Sequence, residues 1–201
     1  MIKKIFLLIF GILASIATQA QSADEFLNSI IASYKSYDDI SIVFNYKIIN
    51  MEMNVNETSQ GYGSIKGSSY MVNVDGQKLI CDGKTLWTHL INDEEVMISE
   101  ATDDSSPIAI LNSLSNNIST KLLSTTPNIT LEIIENEQSN FEKLHINIDN
   151  NLMLKNIHIF IGDGNELIYE ITEFKTNQNL PDSMFIFDET MHPNVEVIDM
   201  R

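Results

Sequence analysis

The sequence predicts a mainly β domain with short helices, an α+β chain built on one antiparallel sheet. Three observations carry that expectation. Apolar and polar residues alternate over most of the chain, which is the two-residue period of a strand. Asp-Gly pairs and other tight-turn sequences separate the alternating runs. Helical spacing is confined to two short stretches set far apart.

The chain has 201 residues, 12 of them basic and 28 acidic, for a formal net charge of −16. That length suits one domain, and the acidity argues against nucleic acid as a partner, because phosphate binding rests on clustered Lys and Arg. A single Cys makes neither an internal disulfide nor a multi-Cys zinc site. Hydrophobic residues at 43% suffice for a core, so the body of the chain is not a disordered acidic tail. No internal repeat, low-complexity block or linker divides it.

Residues 1–20 read as a signal peptide. Lys3 and Lys4 precede an apolar run from Ile5 to Ala17, and Thr18-Gln19-Ala20 sets small residues at the −3 and −1 positions of a cleavage after Ala20. The run is short for a bilayer span of about 20 residues. No Cys near the cleavage point offers a lipidation site. Removing this segment takes two Lys, leaving 10 basic against 28 acidic side chains, net −18, on an exported domain at 21–201. The lone Cys81 suits an extracytoplasmic protein without a disulfide framework.

Ser22 to Tyr37 predicts the first helix. Ser22 and Glu25 form a capping-box pair, and Phe26, Ile30 and Tyr34 recur every four residues, widened by Leu27 and Ile31. From Ile40 the period becomes two: Ile42, Phe44, Tyr46 and Ile48 alternate with Val43, Asn45, Lys47 and Ile49. Tyr62 to Ile65 and Tyr70 to Val74 continue the pattern, with Tyr70, Val72 and Val74 on one side. Asp75-Gly76 and Asp82-Gly83 are strong hairpin signals, and Thr85 to Leu90 pairs with Glu95 to Ser99 around Asn92-Asp93. An acidic loop from Ala101 to Ser106 follows. Ser106-Pro107 is a helix N-cap and first-turn pair, and Ile108, Leu111 and Leu114 keep helical spacing after it. A polar stretch and a short apolar piece, Lys121 to Leu123, lead to strands at Ile129 to Ile134, Lys143 to Ile148, Lys155 to Ile161 and Glu166 to Lys175. Pro181, Phe185 and Phe187 open a C-terminal segment ending in Val195-Glu196-Val197. Short turns join about nine strands into an antiparallel meander. A long twisted sheet curls, and two apolar helices on its concave side would enclose an apolar cavity.

Chemical motifs are sparse. Cys81 lies on a strand with no base at a useful spacing, and reads as a half-buried structural Cys. His89, His145, His158 and His192 show no metal-ligand spacing, so no metal or other cofactor is expected. Asp163-Gly164-Asn165-Glu166 lacks the later Glu of a calcium loop and reads as a hairpin turn. Asp103-Asp104 and Asp93-Glu94-Glu95 read as solvated loop charge. No nucleophile elbow, phosphate loop or zincin motif is present, and no enzyme activity is expected. Phe26, Tyr34, Phe44, Tyr46, Tyr70 and Trp87 fit either a packed core or the lining of a cavity for an acyl chain, and periodicity alone does not choose between them.

The run Asp82-Gly83-Lys84-Thr85-Leu86-Trp87, preceded by Gly61-Tyr62-Gly63-Ser64-Ile65-Lys66 and Tyr70-Met71-Val72, resembles the outer-membrane lipoprotein carrier (LolA-type) family, as a divergent branch. Ser106-Pro107 with Ile108 to Leu114 is similar to that family's lid helix. The ending Leu180-Pro181-Asp182-Ser183, Phe185-Ile186-Phe187-Asp188 and Val195 to Asp199 resembles the terminus of one branch. The resemblance implies an unclosed antiparallel β-barrel whose N-terminal and lid helices cover an apolar cavity. It implies a periplasmic chaperone that carries acylated lipoproteins from an inner-membrane ABC-type release complex toward the outer membrane, where some systems have a receptor. On this reading Phe26, Ile30, Tyr34, Phe44, Tyr46, Tyr70, Val72, Val74 and Trp87 line the cavity, and Ile108, Leu111 and Leu114 form the lid. An envelope lipid-binding or sensor domain on the same half-barrel is the alternative. One position departs from the pattern: many members carry an arginine after the lysine at Lys66, and this chain has Gly67.

Overall fold

The protein is described by a computed structural model, which covers residues 22–102, 118–135 and 141–201. Both the expected signal peptide and the expected lid helix with Ile108, Leu111 and Leu114 lie outside the described residues.

Helix α1 spans Ala23–Lys35 and begins where the sequence places its cap. The Glu25 amide donates to Ser22 Oγ at 3.2 Å, and the Ser22 amide donates to the Glu25 carboxylate at 2.9 Å. Those two bonds satisfy donors that a helix start leaves open. Lys35 in the last turn complements the helix dipole.

Among the described residues, twelve strands follow in one sheet. They are β1 (Ile40–Asn50), β2 (Val55–Lys66), β3 (Ser69–Val74), β4 (Gln77–Cys81), β5 (Thr85–Leu90), β6 (Glu95–Glu100), β7 (Ile118–Ser124), β8 (Ile129–Glu135), β9 (Lys143–Ile148), β10 (Leu154–Gly162), β11 (Asn165–Thr176) and β12 (Glu196–Asp199). The spatial order is β12-β6-β5-β4-β3-β2-β1-β11-β10-β9-β8-β7, so the sheet is an unclosed half-barrel with β12 and β7 at its edges. Two meanders, β1 to β6 and β7 to β11, join where β1 pairs with β11 from Ile40 opposite Thr176 to Asn50 opposite Asn165.

Turn chemistry sets much of the register. Asp75-Gly76 and Asp163-Gly164 hold both residues at positive φ, the primed turn that matches strand twist. Asp82-Gly83 makes a longer connection, in which Asp82 Oδ1 accepts from the amides of Lys84 and Thr85 at 2.9 and 2.7 Å. Gly61 has a different role. A Cβ there would lie 2.5 Å from Cζ of Phe44, so its bare backbone lets the Phe44 ring lie across β2.

Among the described residues the sheet has twelve strands where the sequence suggests about nine, and its antiparallel pairing has an exception in β12, which runs parallel to β6. The parallel pair arises because the chain leaves β11, crosses the back of the sheet and arrives at the β6 edge by a long connection instead of a hairpin.

Register divides the side chains between two faces. The inner face carries α1. Leu27, Ile30 and Ile31 of the helix pack against Ile129, Leu131 and Ile133 of β8 and Leu144, Ile146 and Ile148 of β9. On the outer face the C-terminal segment packs Phe185 and Phe187 against Met71, Ile80 and Val96. Elsewhere the outer face carries ion pairs: Glu132 pairs with His145 at 3.0 Å, His158 with Glu166 at 2.7 Å and Lys47 with Glu170 at 2.8 Å.

Candidate functional site

The inner face is apolar from one edge of the sheet toward the other. Across β7, β8, β9, β10, β11 and β1 the register aligns Leu122, Leu131, Ile146, Ile157, Tyr169 and Tyr46. Across β1 to β6 it aligns Ile42, Gly63, Val72, Leu79, Thr88 and Met97. Such rows come from the two-residue period: every second residue of each strand faces inward, and those positions are mostly apolar.

Helix α1 covers only part of this face. Its buried residues rest on β8 and β9, with Ile118 and Leu122 of β7 and Leu154 and Ile159 of β10 packed around them. Its last turn reaches β11: the Tyr34 ring meets Phe174 edge-on at 5.4 Å, and Tyr34 Oη accepts from the Leu154 amide at 3.0 Å. Beyond the helix, Phe44, Tyr70 and Cys81 are buried, while Ile42, Tyr46, Val72, Val74, Leu79 and Met97 on the inner side of β1 and β3 to β6 are half-buried. Tyr46 and Phe44 contact Tyr169 at 5.0 and 5.7 Å between ring centroids, forming an aromatic floor beside the helix.

This floor is uncharged. Burial pushes the Tyr169 phenol up to about 12, with Tyr46 adding to the effect. Burial raises Tyr46 as well, helped by the negative Asp75. Tyr34 is also pushed up to about 12, chiefly by burial. Cys81, facing inward beside Tyr70, is 1% exposed, and burial raises its thiol. A protonated, enclosed thiol is a poor nucleophile. Among the described residues no cluster of His, Cys, Asp or Glu could hold a metal ion. What the surface offers is apolar area: it can take up a hydrocarbon chain without confronting it with charge.

Most of the residues expected to line a cavity fall on the inner face. Phe44 and Tyr70 are buried in it, while Tyr46, Val72 and Val74 remain half-buried. Phe26, Ile30 and Tyr34 reach it from α1. Trp87 does not belong with them. It lies opposite Ile80, which lies opposite Met71, so all three point outward, and Trp87 packs against the Phe185 cluster. Neighbouring Leu86 and Thr88 take the inward positions on β5 instead. The sequence places an aromatic on a strand but carries no mark of which face it takes until the register is known.

Other inner residues went unnamed at the sequence level, among them Leu79, Met97, Ile157 and Tyr169. Their signal was the alternation of β4, β6, β10 and β11. The positioning roles of two further residues carry no local sequence signal. Asp39, 2% exposed, accepts from the amides of Gln178 and Leu180 at 2.8 and 3.1 Å. Lys66 Nζ donates to the Leu180 carbonyl at 2.8 Å and to Asp182 at 2.6 Å. Together they guide the chain onto the outer face. Gly67, where many members of the resembled family carry arginine, sits at φ +59 in the β2–β3 turn with open space around it. Positive φ favours glycine there.

The family described as outer membrane lipoprotein carrier protein LolA has a sequence model that matches residues 71–188, more than half of the chain. Among solved structures, an uncharacterized conserved protein from Thermus thermophilus superposes with a TM-score of 0.59 at 10% identity, over 88% of this chain and 98% of that one. A LolA superfamily protein from Nitrosomonas europaea gives 0.46 at 12% identity, over 84% and 99%. The lipoprotein LppX of Mycobacterium tuberculosis gives 0.44 at 9% identity, over 79% and 97%. No curated relative matches the sequence. With its half-barrel, its N-terminal helix and a matched segment that runs from β3 to the outer-face phenylalanines, the chain belongs to the LolA-type family of outer membrane lipoprotein carrier proteins, as a divergent member.

Proposed function

We propose that this protein is a periplasmic chaperone that holds the acyl chains of lipoproteins against the inner face of its half-barrel and carries them from the inner to the outer membrane. The observation that carries the reading is the largely apolar inner face, covered by α1 over β7 to β10 and less enclosed beyond it. Exposing an acyl chain to water costs about 0.8 kcal/mol per CH₂, so transfer across an aqueous space needs an apolar container. Half-buried residues suit such a container, because cargo must leave as well as enter. Residues 1–20 direct export, with cleavage near Ala20, and Ile108, Leu111 and Leu114 supply a lid. Loading comes from an inner-membrane ABC-type release complex, and delivery goes to an outer-membrane receptor where one exists. The role is carriage without catalysis, consistent with a family described as carriers.

Co-elution tests the proposal. Mature protein incubated with membranes that are actively releasing lipoproteins is expected to co-elute with acylated lipoprotein and not with its unacylated form. Release without complex formation sinks the carrier reading, and retention of free lipid alone assigns the site to a lipid-binding domain.

A further inference from the structure

A second recess lies on the outer face, beneath the C-terminal segment. There the register aligns Tyr62, Asn73, Lys78 and His89 side by side across β2 to β5. This polar row lies beside an apolar one, where Met71, Ile80 and Trp87 pack under Phe185. The stretch from Met191 to Val195 arches over the row and leaves a hollow of about 390 Å³, open to solvent on one side. That volume falls in the range of small-molecule sites, about 300–1,000 Å³.

The wall has a specific polarity. Asn73 donates to the Tyr62 hydroxyl at 3.0 Å, which leaves the phenol proton free to point elsewhere. His89 is 4% exposed, and its ring meets the His192 ring at 4.8 Å, while His192 stacks on Phe187 at 5.0 Å. Each imidazole has a ring N–H to offer and is held in place by these ring contacts. Lys78 is half-buried, and among the described residues it is the one partly buried cation without an acidic partner: Lys47, Lys66 and Lys143 each have one. In a chain with 28 acidic and 12 basic residues, an unpaired, half-buried lysine is unexpected. Glu94 is the carboxylate on the rim, and it is exposed. Besides Asn194, the remaining lining is apolar: Pro193 and Val195, with Ile91 40% and Met191 73% exposed.

We propose that this hollow binds a carboxylate carried on a short apolar stem, with Lys78 facing the charge and Ile91 and Met191 covering the stem. The cation, the phenol and the imidazole N–H groups are donors lining one hollow, and an anion is the group that can accept from each of them. The site lies across the sheet from the inner face, so it does not depend on the carrier reading.

The test follows the imidazole proton resonances of His89 and His192 by NMR during titration of the purified protein. The probes are 3-phenylpropionate and N-acetyl-Leu-Phe with a free carboxylate, each set against its neutral amide. At least one acid is expected to shift both imidazoles saturably, with no saturable shift from its amide. Lys78→Gln and Lys78→Met are expected to weaken that acid about tenfold, the size of effect a charge-assisted hydrogen bond gives. Response to both acids assigns the site to free acids, and response to the peptide alone assigns it to a chain terminus; either supports the proposal. No saturable shift with either acid, equal response to the amides, or undiminished binding by folded Lys78 variants overturns it.

Discussion

Asp39 stands where the chain enters β1, and its carboxylate organises backbone 139 residues away. Asn177 and Asn179 both adopt positive φ, which turns the amides of Gln178 and Leu180 toward it. Such alternation builds a small anion-binding nest from main-chain N–H groups. Burial on its own opposes ionisation of Asp39. The amides of Gln178, Leu180 and Asn179, with the positive Lys66, outweigh it and hold the carboxyl below its ordinary value of 3.8. A lowered folded value means that ionised Asp39 stabilises the fold fully above about pH 4, and that this contribution is lost as pH falls through the folded value. Asp39→Asn is therefore expected to unfold at lower urea than the parent at pH 6, with the gap closing toward pH 2. Urea midpoints across that range check it; a gap independent of pH would assign the effect to shape instead of charge.

At the scale of elements, the C-terminal segment is the second layer of the molecule. Phe185 is 1% exposed and Phe187 6%, seated on Met71, Ile80 and Val96 from three different strands. The two rings thus tie β3, β4 and β6 together from behind, while β12 closes over the β6 edge and leaves fewer of its backbone groups open. Phe185→Ala removes a fully buried ring and is expected to cost about 3–5 kcal/mol. Trp87, the single tryptophan, packs in the same cluster, so its fluorescence in urea reads the loss directly. A shift below about 1 kcal/mol would mean that the segment is an ornament and not a layer. Much of this plan was legible in the sequence. The capping box of Ser22 and Glu25, the alternation of β1, β9 and β11 and the two primed Asp-Gly turns all appear where the residues imply them. The misses have physical reasons. The first half of β2, Asn56 to Gln60, is polar on both faces and gives no alternation, and in β7 the run Ser119-Thr120-Lys121 and the adjacent Leu122-Leu123 break it. The path of residues 177–195 depends on Asp39 and Lys66, partners too distant in sequence for any local pattern to show.

The whole molecule is a sheet with two unlike faces, each half-covered by a different end of the chain. α1 seals the inner face over β7 to β10, and the C-terminal segment seals the outer face over β3 to β6. The coverings are staggered, so the inner surface of β3 to β6 is backed by the C-terminal segment while it stays less enclosed than the surface beneath α1. A carrier needs that combination: a firm wall that does not consume its own apolar surface in packing. The same asymmetry makes the two halves respond differently to charge. Leu131 is 0% exposed beneath α1, and Leu131→Asp is expected to cost several kcal/mol, because its carboxylate would be sealed from water without a partner. Val72 is half-buried on the open half, and Val72→Asp can keep its charge hydrated at a cost of about 1 kcal/mol. In the carrier reading, the second change puts a charge where the acyl chain lies, so retention of acylated lipoprotein should fall at least tenfold while the urea midpoint read by Trp87 stays near the parent's. Equal loss of stability in the two variants would place Val72 in a closed core and remove the wall on which the proposed cargo rests.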